Sequence, residues 1–277
     1  MNPLRLGLAR GALELRQVLR SRKDLYSYLA TPVIFIGVAS WRSDGGTPET
    51  AQAMLAGGVA ATIFMFGLMT VPQFLFGDRE DGTLLRLRGI PGAMPAYLTA
   101  KIVFVLAVIL VSVALLLAGG SLLLGVGLPS RPARWLTLAW VMGLGIAAVV
   151  PVGAAIGALL PAAREALGVY MMPVMGLMFV SGAFAPLRNQ PAWVRHLASV
   201  FPLRWIAQGV RSALLPDSAR ARELAGGWQH PSVFAVLAVW AAAGFVLAPP
   251  LLQRMTRRES GSRMSEREQK RLAKTAY

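Results

Sequence analysis

Six long apolar runs, none containing an Asp or a Glu, decide what this chain can become. They cover residues 25–41, 51–76, 98–128, 135–160, 166–185 and 231–252. Inside a bilayer every backbone N–H and C=O must find its partner within the protein. Only helices and closed barrels achieve that. Each run is at least as long as the shortest helix that crosses hydrocarbon, the usual range being roughly 17–25 residues. The runs are continuously apolar and do not alternate as barrel strands do. The expected fold is an all-α integral membrane protein of six transmembrane helices. Composition agrees, since 55% of the 277 residues are hydrophobic and 15% charged, against about a quarter charged in soluble chains.

The remaining segments are organised around those spans. Residues 1–24 read as an amphipathic helix lying in the membrane interface. Leu4, Leu8, Gly11, Ala12, Leu15, Val18 and Leu19 fall on one face and arginines mostly on the other. The second run has 26 residues and would reach roughly 39 Å as a helix, so it is expected to tilt or to run on into water. Gly119-Gly120 is expected to weaken the far end of the third span; Pro151 can break the fourth, as Pro32 and Pro173 can the first and fifth, though a satisfied kink is the commoner outcome. Arg164 and Glu165 are expected in a short polar turn before the fifth. Residues 186–230 are too polar to span and too apolar for a free loop. Trp193, Leu197, Val200, Phe201, Trp205 and Ile206 suggest short helices there, at the outer surface or dipping into it. Residues 1–252 thus form one membrane domain, and 253–277 a basic tail, helical or disordered.

Charge sets the orientation. With both termini in the cytoplasm, 19 Lys and Arg lie inside and nine outside, as the positive-inside rule requires. The same distribution accounts for the net charge of +15 without invoking nucleic acid. The basic residues sit at the ends and between spans, with no basic patch interleaved with aromatics.

The runs also lack an engine. Lys101 is the only basic residue in any of them, close enough to the inner surface to snorkel. A secondary carrier or channel usually needs buried ionisable groups or broken helices with paired polar ligands. A membrane-embedded metal-dependent phosphotransferase would need more carboxylates than Asp78-x-x-Asp81 supplies. No phosphate-gripping G-x-x-x-x-G-K-[ST] occurs. There is no cysteine, and His196 and His230 form no metal pattern. No cofactor or metal site is expected in this chain.

The one dense charge cluster between spans is Gly77-Asp78-Arg79-Glu80-Asp81-Gly82-Thr83-Leu84-Leu85-Arg86-Leu87-Arg88-Gly89-Ile90-Pro91. Asp78 to Asp81 should end a long helix, Gly82 should permit a sharp turn, and Thr83 should cap a short helix, Leu84–Arg88, closed by Gly89 and Pro91. That helix is expected to present Leu84, Arg86, Leu87 and Arg88 to the cytoplasm. Phe64, Met65, Phe66 and Met69 on the second span, with Met171, Met172, Met175 and Met178 on the fifth, offer a flexible apolar surface to a substrate. Such stripes are more commonly packing. Gly153-Ala-Ala-Ile-Gly157 is a small-xxx-small pattern that can bring helices close, though glycine-rich spans contain many such pairs by chance.

The stretch Asp78-Arg79-Glu80-Asp81-Gly82-Thr83 resembles the cytoplasmic loop of the type-2 ABC exporter permeases. Their acidic-Arg-Glu-x-Gly-Thr run leads into a short coupling helix and a proline. A second, distant set follows the same family's spacing: Arg164, Pro173, Ser181-Gly182, Phe184, Pro186, Pro191-x-Trp193, Phe201-Pro202 and Arg211. Leu85 and Arg86 stand where a more acidic start is common, and Ile90 where a small hydroxyl residue is. The resemblance implies a bacterial plasma-membrane transport subunit, not itself an enzyme. It would assemble with a second permease, identical or a sister chain, and with two ATPase subunits that bind ATP and Mg. It would export a hydrophobic or amphipathic drug, antibiotic, lipid or glycan. Gly82, Thr83, Leu84, Arg86, Leu87 and Arg88 would seat in the ATPase. Asp78, Arg79 and Glu80 would stiffen the junction through ion pairs to the N-terminal helix or the ATPase. Arg164 and Glu165 would make a second contact.

Overall fold

The computed structural model describes residues 3–43, 48–88, 90, 93–160 and 164–275. The N-terminal helix α1 (Pro3–Arg20) leads into α2 (Arg22–Ser43). Next, α3 (Pro48–Met65) runs through a π-helical turn (Phe66–Thr70) directly into α4 (Val71–Glu80), and α5 (Thr83–Arg88) follows after a sharp bend. The long helices α6 (Ala93–Leu124) and α7 (Pro132–Leu159) come next, then α8 (Arg164–Val180). Two short helices, α9 (Ala192–Val200) and α10 (Pro202–Leu214), precede the terminal α11 (His230–Thr275). Among the described residues there is no strand.

Four helical stretches are long and apolar enough to cross a membrane: Glu49–Glu80, Ala96–Leu124, Pro132–Leu159 and His230–Met255. The apolar parts of α2 and α8, Leu25–Trp41 and Ala166–Val180, are shorter. The α3–α4 helix is the centre of the bundle. Its apolar window is 78% buried, against 28% for α11, which shows most of its surface to the surroundings. Phe64, Ile63, Ile109, Val149, Ile206 and Leu237 meet in the main core.

Several expectations need correction. The third run stays helical through Gly119-Gly120 and ends at Leu124. The glycines do not weaken it; they leave room for the Ile36 and Leu55 side chains of neighbouring helices. Helix α7 continues through Pro151, the commoner outcome, because a packed bundle tolerates one lost backbone bond. The fifth run stops at Val180, short of residue 185, where Ser181 Oγ accepts from the Ala183 N–H at 3.2 Å and Gly182 takes a φ of +77°. The last apolar run and the basic tail form one helix, which runs on to Thr275, the helical form of the tail being one of the two expected. Arg164 and Glu165 begin α8 and are not in a turn; their side chains lie outside the described residues, as do Pro161 to Ala163.

The short helices expected in 186–230 are present, with different surroundings. Trp193, Leu197 and Val200 on α9 are exposed. Helix α10 starts with Pro202 in its first turn, where a missing N–H costs nothing. It is buried on nearly every side against α3, α7 and α11. Gln52 and Arg134 donate to the Leu214 and Leu215 carbonyls at its end, at 2.6 and 2.8 Å. The Arg211 guanidinium, half-buried, pairs with both oxygens of Glu223 (2.6 and 3.1 Å) and donates to the Gly182 carbonyl (3.1 Å).

Candidate functional site: the elbow between α4 and α5

The elbow forms because its sequence cannot stay straight. The last backbone bonds of α4 are Asp81 N to Gly77 O (3.0 Å) and Gly82 N to Arg79 O (3.1 Å). Gly82 then adopts φ +69°, a left-handed conformation that side chains resist. Its carbonyl accepts the first bond of α5, from Arg86 N at 3.2 Å. Gly82, and not Thr83, therefore occupies the capping position, and Thr83 is the first residue of α5.

Two adjacent charges fix the elbow to the rest of the bundle. Asp78, mostly buried, accepts from the Tyr97 hydroxyl of α6 at 2.5 Å and lies 3.4 Å from the Lys101 ammonium. Lys101 also pairs with Glu14 of α1 at 3.4 Å, and Glu14 with Arg10 at 3.4 Å. Lys101 sits 5.1 Å over the Phe74 ring, and Arg10 5.7 Å over that of Tyr97. Charges so enclosed are stable only when matched, and two cations here face two carboxylates. Arg79 turns the other way and donates to the Leu160 and Gly157 carbonyls at the end of α7, at 2.9 and 3.4 Å. Those carbonyls carry the negative end of the α7 dipole. Helix α4 is thus held to α6, and through Lys101 to α1, on one side and to α7 on the other. Glu80 and Asp81 are exposed.

The apolar face of α5 seals the joint from within. Leu84 is 2% exposed and packs with Leu75, Tyr97 and Met255, and Leu87 lies partly buried against the same group. The expectation that Leu84 and Leu87 point outward is corrected: they face the bundle, and Arg86 is the exposed member. The side chains of Leu85 and Arg88, and Gly89 and Pro91 entirely, lie outside the described residues.

Helix α1 reaches the elbow through close packing on α6. A Cβ on Gly7 or Gly11 would meet Thr99 or Ala100, and Leu15 and Val18 continue the contact. Gly11, Leu15 and Val18 of the apolar face thus pack on the bundle, while Leu8 and Leu19 remain exposed.

Above the elbow, α4 meets α7 at a point where only glycine fits. A Cβ on Gly153 would collide with the Gly67 carbonyl oxygen, and one on Gly157 would lie 2.9 Å from Pro72 Cα. The π-turn sits at this crossing, with Val71 N bonded to Phe66 O. Pro72 has no N–H to offer Leu68 O in normal helical register. The Tyr170 hydroxyl of α8 donates to that oxygen at 2.6 Å. Such single π-turns mark functional positions more often than regular helix does.

The apolar candidates are not brought together as one surface. Phe64, Met69 and Met178 are buried in the core, Met65 and Met171 are half-buried, and Met172 and Met175 are exposed. Met65 borders a cleft of 220 Å³ between α2 and the π-turn, with Tyr28, Thr31, Thr70 and Gln73. Gln73 Nε2 lies 3.8 Å from Met171 Sδ.

Sequence reasoning missed Arg10, Glu14 and Tyr97, and it read Lys101 as a snorkelling residue only. One signal was available. Glu14 is the single acid in the first 23 residues, four positions after Arg10, and the apolar runs hold a single basic residue, Lys101, for it to match.

The architecture is that of a helical membrane subunit whose charged elbow is tied to three of its helices. The sequence profile of the ABC-2 type transporter family matches residues 13–215, a region holding α2 to α10 and the whole elbow. The chain belongs to the ABC-2 type transporter family, as the membrane component and not the ATPase. No curated protein matches it closely enough to narrow this further.

Proposed function

We propose that this chain is the permease subunit of an ATP-driven exporter, powered by a separate ATPase acting on the elbow. The supporting observation is the fixation of α4 and α5. A push on α5 meets no slack, because Leu84 is buried and Asp78 and Arg79 join α4 to α6, α1 and α7. Displacement of α5 therefore passes into four helices as one body. Both termini lie on the cytoplasmic side in this reading, with α2 and α8 as the two shorter of six spans and α1 at the interface. ATP and Mg are held by the partner, two ATPases per complex, and a second permease completes the pore. Arg86 faces the ATPase, with Arg88, Arg164 and Glu165 as neighbouring contacts.

The cargo in this proposal is hydrophobic or amphipathic. It contacts Met65 in the cleft between α2 and the π-turn, with Met171 of α8 beside Gln73 at its edge and Met175 one turn further along α8. Phe64, Met69 and Met178 serve as packing.

Co-expression with its ATPase tests the reading. The expected result is a stable complex that hydrolyses ATP, while the isolated permease hydrolyses none. Turnover of ATP by the isolated chain, or failure of the two chains to associate in a bilayer, overturns it.

A further inference from the structure

On the α5 half of the bundle, α6 and α11 stand apart. The gap between them is a cavity of 190 Å³ in which only apolar atoms are exposed. Phe74 and Leu75 of α4 and Pro151 and Ala154 of α7 form its floor. Its lips are Ile102 and Phe245, 48% and 60% exposed, on the surface where the spans face their surroundings. Tyr97 and Lys101 close its end nearest the elbow, but their polar heads are engaged by Asp78 and Glu14.

Water has nothing to bond to in such a space. An apolar cavity of about 150 Å³ in a soluble protein stays dry and takes benzene. Here the phase outside the lips is lipid hydrocarbon, so the filler at hand is an alkyl chain. An empty gap would forfeit the dispersion contacts of its whole lining.

We propose that this gap binds one acyl chain of a phospholipid from the leaflet at the α5 end. The cavity offers no polar group to recognise a headgroup or a functionalised cargo, and it accommodates part of a single chain. The inference rests on the membrane setting of the bundle and not on ATPase coupling. Its consequence lies in shared walls: Phe74, Leu75, Tyr97 and Lys101 line the gap and also build the elbow. A chain in the gap props α4 away from α11 and holds the elbow in its present place, so bilayer composition acts directly on the joint.

The test uses the full chain in phosphatidylcholine nanodiscs doped with phosphatidylcholine bearing a mid-chain diazirine. After irradiation, adducts are mapped by mass spectrometry. Labelling is expected on Leu75 and Val105, which are 4% and 2% exposed and are reached only by a chain that enters. Ala154→Phe fills the floor and should abolish that labelling while leaving adducts on the exposed Leu122 and Leu136. If Ala154→Phe does not fold, Ile102→Trp narrows the mouth and is read in the same way. Labels confined to Ile102 and Phe245, or floor labelling that survives both variants, overturn the proposal. Floor labelling that disappears as the protein-to-lipid ratio rises assigns the gap to a second copy and overturns it too.

Discussion

The Tyr97 hydroxyl donates a 2.5 Å hydrogen bond to the Asp78 carboxylate, joining the start of α6 to the end of α4 across the elbow. Lys101, one turn further along α6, lies 3.4 Å from the same carboxylate. The two partners divide the work of satisfying a mostly buried charge, so removing either leaves the other insufficient.

Tyr97→Phe deletes the stronger of these contacts without changing shape. A hydrogen bond to a charged group contributes about 1.5–3 kcal/mol. The variant should lose stability of that order in detergent, measured by thermal unfolding. Lys101→Met should cost more than Tyr97→Phe, because it leaves both Asp78 and Glu14 without their shared cation.

Leu84 and Arg86 separate folding from docking. Leu84→Ala opens space in the cluster formed with Leu75, Tyr97 and Met255 and should destabilise the chain by about 2–5 kcal/mol. Arg86→Glu touches nothing in that cluster. It should leave the unfolding curve unchanged and weaken ATPase association, as read by co-purification.

The tail matters only where it enters the joint. Deleting residues 256–277 should leave stability and ATPase binding close to normal. Deleting 254–277 also removes Met255, 3% exposed against Leu84, and should loosen α5. Limited proteolysis at the elbow distinguishes them: faster cleavage is expected for the longer deletion alone.

Gly153→Val should be the most damaging single glycine substitution in the bundle. Its Cβ would occupy the place of the Gly67 carbonyl, and overpacking of this kind costs about 1–3 kcal/mol or more. Gly143→Ala is the control, since a Cβ there meets nothing within 4 Å. The expected readout is loss of monodisperse protein on size-exclusion chromatography for Gly153→Val only.

Much of this was legible in the residues. The apolar runs located the long helices, and Gly82 located the bend because a tight reversal between two helices needs left-handed backbone. Gly153-x-x-x-Gly157 announced a close crossing, and the structure supplies its partner in Gly67 and Pro72. The direction of Leu84 was not legible. A helix of six residues has too little periodicity to reveal its buried side, and the residue that covers Leu84 is Met255, far along the chain. Tyr97 escaped for a similar reason: nothing local marks a tyrosine at a helix start as the partner of an aspartate on another helix. Gly119-Gly120 misled because the helix-breaking tendency of glycine is set by isolated peptides, whereas here packing against neighbours decides.

Site-directed cross-linking at Arg86 tests the central claim most directly. The chain contains no cysteine, so Arg86→Cys on α5 and Trp193→Cys on α9, at the opposite end of the bundle, each introduce one unique thiol. In membranes containing the ATPase, a short bifunctional reagent should join Arg86→Cys to it, with a yield that changes on ATP binding, and should leave Trp193→Cys unjoined. An ATPase that cross-links to Trp193→Cys and not to Arg86→Cys would contradict the account.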